Sequence, residues 1–276
     1  MKTETRFSEP TVTTRPLPER RAVDRLLTQL DQFTENSEHL LRKPCGDFQS
    51  DGRSYNLPRY LFLGPKGGGD IIRIGIFATI HGDEPEGALA LTRFVAALEQ
   101  NPELATGYCL FLYPVCNPTG FEDGTRHARS GRDLNREFWK NSAEPEVKLL
   151  ETEIWTHAFD GIITLHSDDT SHGLYGYVAG AILSETLLDP ALREAERFLP
   201  RNDRGQIDGF AAQNGIIKQG YGGVLRAPAN LKRPPFEITL ETPQTAPLER
   251  QVEAFSAALR TILVEYRYLM ALAQNI

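Results

Sequence analysis

Apolar positions recur along the chain in two rhythms. Between residues 19 and 41, Leu26, Leu27, Leu30, Phe33 and Leu40 fall at roughly helical spacing and predict an amphipathic helix. Residues 1–20, polar with several prolines, read as an extended arm ahead of it. Next come short apolar runs. PRYLFLG (58–64) predicts a strand. IIRIGIFATI (71–80), GYCLFLYPVC (107–116) and DGIITLH (160–166) do not alternate, as expected of strands covered on both faces. LYGYVAG (174–180) and PFEITLE (235–241) predict two more strands. Helical periodicity occupies ALALTRFVAALEQ, which ends near Asn101-Pro102, and residues 144–159, 184–199 and 246–273. The remainder reads as a loop over 44–56, a turn over 65–70, a long polar loop over 117–139 and a glycine-rich stretch over 200–235. No internal repeat is visible.

Strands alternating with helices imply an α/β fold, with a mixed, mostly parallel central sheet and helices on both faces. The length of 276 residues suits one domain over 1–276: an arm and helix over 1–45, a core over 58–243 and a closing helix over 246–273. Sites in such sheets lie beyond the carboxyl ends of the strands. The residues found there are His81-Gly-Asp-Glu84, Asn117-Pro-Thr-Gly, His166-Ser-Asp-Asp and Glu241-Thr-Pro. His81, Glu84 and His166 make a candidate three-ligand set with an open fourth position, the layout of catalytic zinc. The alternative is that a strand-end histidine only caps or hydrogen-bonds. Glu241 is a candidate base for a metal-activated water.

Composition narrows the partners. The net charge of −7 argues against nucleic acid or an anionic membrane as the main partner. No run approaches the roughly 20 apolar residues of a membrane span. Three cysteines outside any paired motif, and no apolar leader at the start, give an expectation of a cytoplasmic protein. Against the acidic background, Arg126, Arg129, Arg132 and Arg136 crowd one loop. They are either a solvated basic patch or an anion-recognition element, because guanidinium forks match carboxylates.

The set HGDE, NPTGFEDGTRHARSGRDLNREF, LHS and ITLETP resembles the zinc carboxypeptidases of the carboxypeptidase A type and their relatives, the succinylglutamate desuccinylases and aspartoacylases. The resemblance covers about residues 58–243 and implies a mixed sheet of about eight strands with one catalytic zinc ion. It implies His81, Glu84 and His166 as the zinc ligands and Glu241 as the general base. Asn135 and Arg136 are implied to grip a substrate carboxylate. Arg126 is implied to stabilise an oxyanion, with Arg129 a weaker candidate. Asp133 is implied to orient a zinc-bound histidine, and Tyr221 to be a mobile tyrosine over the substrate.

The expected activity is hydrolysis of an amide or peptide bond beside a free carboxylate, metallocarboxypeptidase-like, on a small peptide. The alternative is N-acyl-amino-acid deacylation. TGFEDGTR and LETP lean toward peptidases, whereas the short span from Glu84 to His166 leans toward the acylases. A third reading is a non-catalytic binding protein on the same fold.

Overall fold

Each long apolar run becomes an element at nearly the expected place. The computed structural model describes residues 21–180 and 183–273. The arm expected over 1–20 lies outside them. In chain order the elements are α1 (Val23–Asn36), β1 (Leu40–Arg42), β2 (Asp47–Ser50), β3 (Arg53–Asn56), β4 (Tyr60–Leu63), β5 (Ile72–Ala78), α2 (Glu86–Gln100), β6 (Tyr108–Tyr113), α3 (Pro118–Asp123), α4 (Pro145–His157), β7 (Gly161–Asp168), β8 (Tyr175–Gly180), α5 (Leu183–Ala195), β9 (Gln206–Ile207), β10 (Phe210–Gln213), β11 (Ile216–Ile217), β12 (Phe236–Pro243) and α6 (Leu248–Ala273). No helix among the described residues is long and apolar enough to cross a membrane.

One sheet runs β1-β4-β6-β5-β7-β12-β8-β11-β10-β9. Its centre, β6-β5-β7-β12, is parallel, and antiparallel pairs flank it. Helices α1, α2, α5 and α6 form one layer. Leu27, Leu91, Leu188 and Leu259 from that layer pack with Ile74, Ile163 and Leu240 of the sheet. On the other face Val147, Leu150 and Ile154 of α4 pack against Phe77, Phe111 and Ile162. Helices thus cover both faces, which is why the central strands are apolar throughout rather than alternating.

Three expectations change. The helix predicted over 19–41 stops at Asn36, because the Ser37 hydroxyl accepts the backbone N–H groups of His39 (2.9 Å) and Leu40 (2.7 Å) and turns the chain. Leu40 then enters β1 opposite Phe62. The loop predicted over 44–56 contains the hairpin β2–β3, closed by Asp51 and Gly52 at φ +48° and +70°. The stretch predicted as loop over 200–235 holds three short strands, β9, β10 and β11, which turn at Asp208-Gly209 and Asn214-Gly215, again with positive φ. The sheet has ten strands among the described residues, in rough accord with the eight or so implied by the resemblance.

Candidate metal centre and catalytic pocket

The HGDE segment leaves the carboxyl end of β5 through Thr79, whose φ of +52° is unusual for a β-branched residue. The Thr79 hydroxyl donates to the Glu84 carbonyl (3.1 Å), closing the turn around His81. Gly82 allows that turn to press on the 117–127 segment: a Cβ there would lie 2.0 Å from the Gly120 carbonyl carbon. Asn117 holds the opposite side. Its carboxamide accepts from Gly120 N–H (2.8 Å) and donates to the Ile80 carbonyl (3.2 Å).

This packing brings three of the expected residues together. His81 Nδ1 is 2.7 Å from Glu84 Oε1, and His166 Nδ1 is 3.0 Å from Glu84 Oε2 and 3.2 Å from His81 Nδ1. All three side chains are buried, and their ligand atoms lie within 4.8 Å of one another. Two imidazole nitrogens and a carboxylate aimed at one point form the donor set that a divalent metal ion takes. The outer atoms differ between the two histidines. His81 Nε2 faces the Asp133 carboxylate, 3.3 Å from Oδ1, which suits the tautomer that leaves Nδ1 free to ligate. His166 Nε2 instead has the Asn135 amide nitrogen at 3.5 Å.

The electrostatics are those of a cluster built to hold positive charge. Burial alone would raise the Glu84 carboxyl, but the two histidines hold it down at about 2. Burial also opposes protonation of His81, yet Glu84 and Asp133 outweigh it and lift its imidazole above the usual value. Burial dominates at His166 and lowers it. Burial, with the Glu84, Asp168 and Asp208 carboxylates, pushes Glu241 well above the ordinary range.

A cavity of about 510 Å³ opens beside this centre. Its floor is set by strand register. Glu241 of β12 lies between His166 of β7 and Tyr175 of β8. One step inward Thr239 lies between Thr164 and Tyr177, and a further step inward Glu237 lies between Ile162 and Ala179. All nine residues line the cavity.

Arg126 stands at the rim, its guanidinium 3.5 Å from Glu84 Oε1 and 3.4 Å from Asp133 Oδ2. Arg136 lies 4.2 Å above the Tyr221 ring, and both line the cavity. Asn135 lines it too, but its Oδ1 is committed to the Leu225 N–H (2.8 Å), which leaves Nδ2 as its available group. Arg129 is the exception. It bonds Asp123 (2.7 Å), Glu122 (3.2 Å) and the Tyr55 hydroxyl (2.5 Å), and it does not line the cavity. Those carboxylates pin it to the β2–β3 side, so it is a structural residue and not an oxyanion donor.

The sequence reading missed part of the wall. Tyr175 donates to Asp168 Oδ2 (2.8 Å), and Tyr177 donates to Asp208 Oδ2 (2.6 Å). Tyr221 also donates to Asp208, at 3.0 Å. The spacing of Tyr175 and Tyr177, two apart on a strand, was the available signal that both face one side. For Asp208 the signal was the Asp-Gly turn.

Comparison with known proteins agrees with this geometry. Residues 70–201 match the succinylglutamate desuccinylase/aspartoacylase catalytic domain. No curated protein matches the chain. A Shewanella amazonensis protein assigned as a metallopeptidase superposes with a TM-score of 0.71 at 26% identity, over 87% of this chain and 92% of that one. A metallo-carboxypeptidase from Burkholderia cenocepacia gives 0.70 at 18% identity, over 90% and 70%. A metallo-carboxypeptidase from Pseudomonas aeruginosa, solved with (2-guanidinoethylmercapto)succinic acid, gives 0.65 at 19% identity, over 89% and 69%. The matched catalytic domain, the shared fold and the buried His-Glu-His cluster converge on one likeness: residues 70–201 are similar to the succinylglutamate desuccinylase/aspartoacylase catalytic domain, and the chain has the fold of the zinc-carboxypeptidase-like structures.

Proposed function

We propose that the chain is a zinc-dependent hydrolase that cleaves an amide or peptide bond beside a free carboxylate, in the manner of a metallocarboxypeptidase. The observation that carries this reading is the convergence of His81, Glu84 and His166 at the end of a cavity with Glu241 on its floor and Arg126 and Arg136 on its rim. A single zinc ion held by those three ligands would polarise the scissile carbonyl and lower the pKa of a water from 15.7 to about 7. Glu241 takes the proton of the attacking water and delivers it to the leaving nitrogen. Arg126 faces the oxygen on which negative charge develops. Arg136, with Asn135 Nδ2, receives the substrate carboxylate, and the Tyr221 ring holds the guanidinium in place from the other side.

A cavity of about 510 Å³ suits a small peptide or an N-acyl amino acid rather than a folded protein. The three cysteines are free, which fits a cytoplasmic enzyme. The catalytic-domain match over 70–201 favours a second reading with the same machinery, an N-acyl-amino-acid deacylase.

The test joins metal analysis to turnover. Zinc should be retained by the wild-type protein and by Glu241→Gln, and lost from His81→Ala and His166→Ala. Glu241→Gln should lower kcat by about 10²–10⁴-fold. Amidating the substrate carboxylate should lower kcat/KM at least about thirtyfold, and Arg136→Ala should erase that difference. A matched panel of peptides and N-acyl amino acids separates the two readings. Undiminished zinc in both histidine variants would sink the ligand assignment, and bound zinc without hydrolysis of either class would leave a binding protein.

A further inference from the structure

The inner end of the cavity holds a charge that the reaction does not use. Alternation along β12 places Glu237 on the same face as Glu241, about 13 Å away along the strand. Glu237 is 9% exposed. One of its oxygens accepts the Ala227 N–H at 2.7 Å, and among the described residues no side chain donates to the carboxylate. The space around it is shaped for it. Beside it β8 ends at Gly180, where a Cβ would come within 3.1 Å of Glu237 Cγ. The two threonines of the middle row spend their hydroxyls on each other at 2.7 Å, so they offer Glu237 no donor. Arg226 lines the same cavity but is exposed, and it screens Glu237 without hydrogen-bonding to it.

We propose that Glu237 determines the specificity of this slot by receiving the ammonium or guanidinium end of a long basic side chain, carried by the residue whose carboxylate Arg136 holds. The proposal rests on the amide-hydrolase reading of the cavity. A buried carboxylate with one backbone donor is poorly satisfied, and a cation delivered by the substrate supplies the missing partner. An acidic side chain would meet like charge there, and an aliphatic one would leave the carboxylate as it is. Separation selects for length as well, since a short side chain anchored near Glu241 stops before the inner row.

Three substrates alike except for a terminal lysine, norleucine or glutamate test it. Wild-type kcat/KM should favour lysine over norleucine by about tenfold or more, mainly through KM, and glutamate should be poorest. Glu237→Gln should collapse the lysine-to-norleucine ratio, and Glu237→Lys should move the preference toward glutamate. The ratio is read within one protein, so a general loss of activity does not mimic the result. Calorimetry of free lysine against free norleucine on the zinc-loaded wild-type protein gives an answer that needs neither variant nor turnover. Hydrolysis of all three without preference for lysine would overturn the slot assignment while the reaction stands. Tighter binding of lysine without hydrolysis would support the slot and overturn the reaction. Equal binding of the two amino acids, or preference for glutamate, would overturn the proposal.

Discussion

At the scale of single residues, the candidate metal centre depends on a side chain that is missing. Gly82 has nothing to contribute but closeness: its Cα faces the Gly120–Phe121 peptide, and a methyl group would sit 2.0 Å from one backbone atom and 2.2 Å from the next. Backbone cannot swing aside as a flexible side chain can. Gly82→Ala must therefore push the HGDE turn and the 117–127 segment apart, moving His81 and Glu84 relative to Arg126. Overpacking of this kind costs about 1–3 kcal/mol. The expected outcome is a folded protein with a lower melting temperature and weakened zinc affinity, read by calorimetry and a metal-indicator titration. Wild-type values in both would show that the two segments do not depend on this contact.

At the scale of elements, Glu146 shows how α4 is seated. It lies in the first turn of the helix, buried, with Thr119 Oγ1 of α3 at 3.5 Å. Burial raises its carboxyl to about 7, against the opposing pulls of the helix N-terminus and Arg129. The folded-state pKa is raised, so the folded form is relatively favoured at low pH. Stability from this group falls as pH climbs from about 4.5 to about 7, by at most roughly 3 kcal/mol. Urea midpoints near pH 5 and near pH 8 check it: the wild-type protein should lose stability across that window, and Glu146→Gln should lose distinctly less. Parallel slopes would remove Glu146 from the account.

Legibility in the sequence also divides by element. β5, β6 and β7 were readable because burial on both faces forces unbroken apolar runs, and those runs delivered His81 and His166 to their ends. The hairpins were not readable as strands. β2, β3, β9, β10 and β11 have two to four residues each, too few for alternation to register. Their turns were written plainly as Asp51-Gly52, Asp208-Gly209 and Asn214-Gly215. Arg129 illustrates a different limit. Four arginines in one loop look alike in sequence, and only packing shows that Arg129 is bound by Asp123 and Glu122 while Arg126 and Arg136 reach the cavity. Glu237 was legible as a position on the Glu241 face. Its isolation from side-chain donors was not, because that depends on β8 and the loop at Ala227.

At the scale of the whole molecule, the residues of the candidate site come from distant parts of the chain. His81 and Glu84 follow β5, His166 is on β7, Asp133 is in the loop beyond β6, and Glu241 is on β12. No local segment assembles the set, so the site exists only when the central sheet is formed. A metal ion that binds this site and not the unfolded chain must then stabilise the entire fold by mass action. At a free zinc concentration one hundred times its dissociation constant the gain is about 2.7 kcal/mol. For a chain of this size that corresponds to a rise in melting temperature of roughly 5–10 °C. A chelator should lower the melting temperature by that amount, and added zinc should restore it. Without the metal, Glu84 remains buried between two imidazoles and favours the protonated form of His81, a stabilisation lost as pH rises through that raised value, so the stripped protein should also respond more steeply to rising pH than the loaded one. His81→Ala should melt at the same temperature with and without zinc. A zinc-dependent shift that persists in His81→Ala would mean that the stabilising ion sits elsewhere in the molecule.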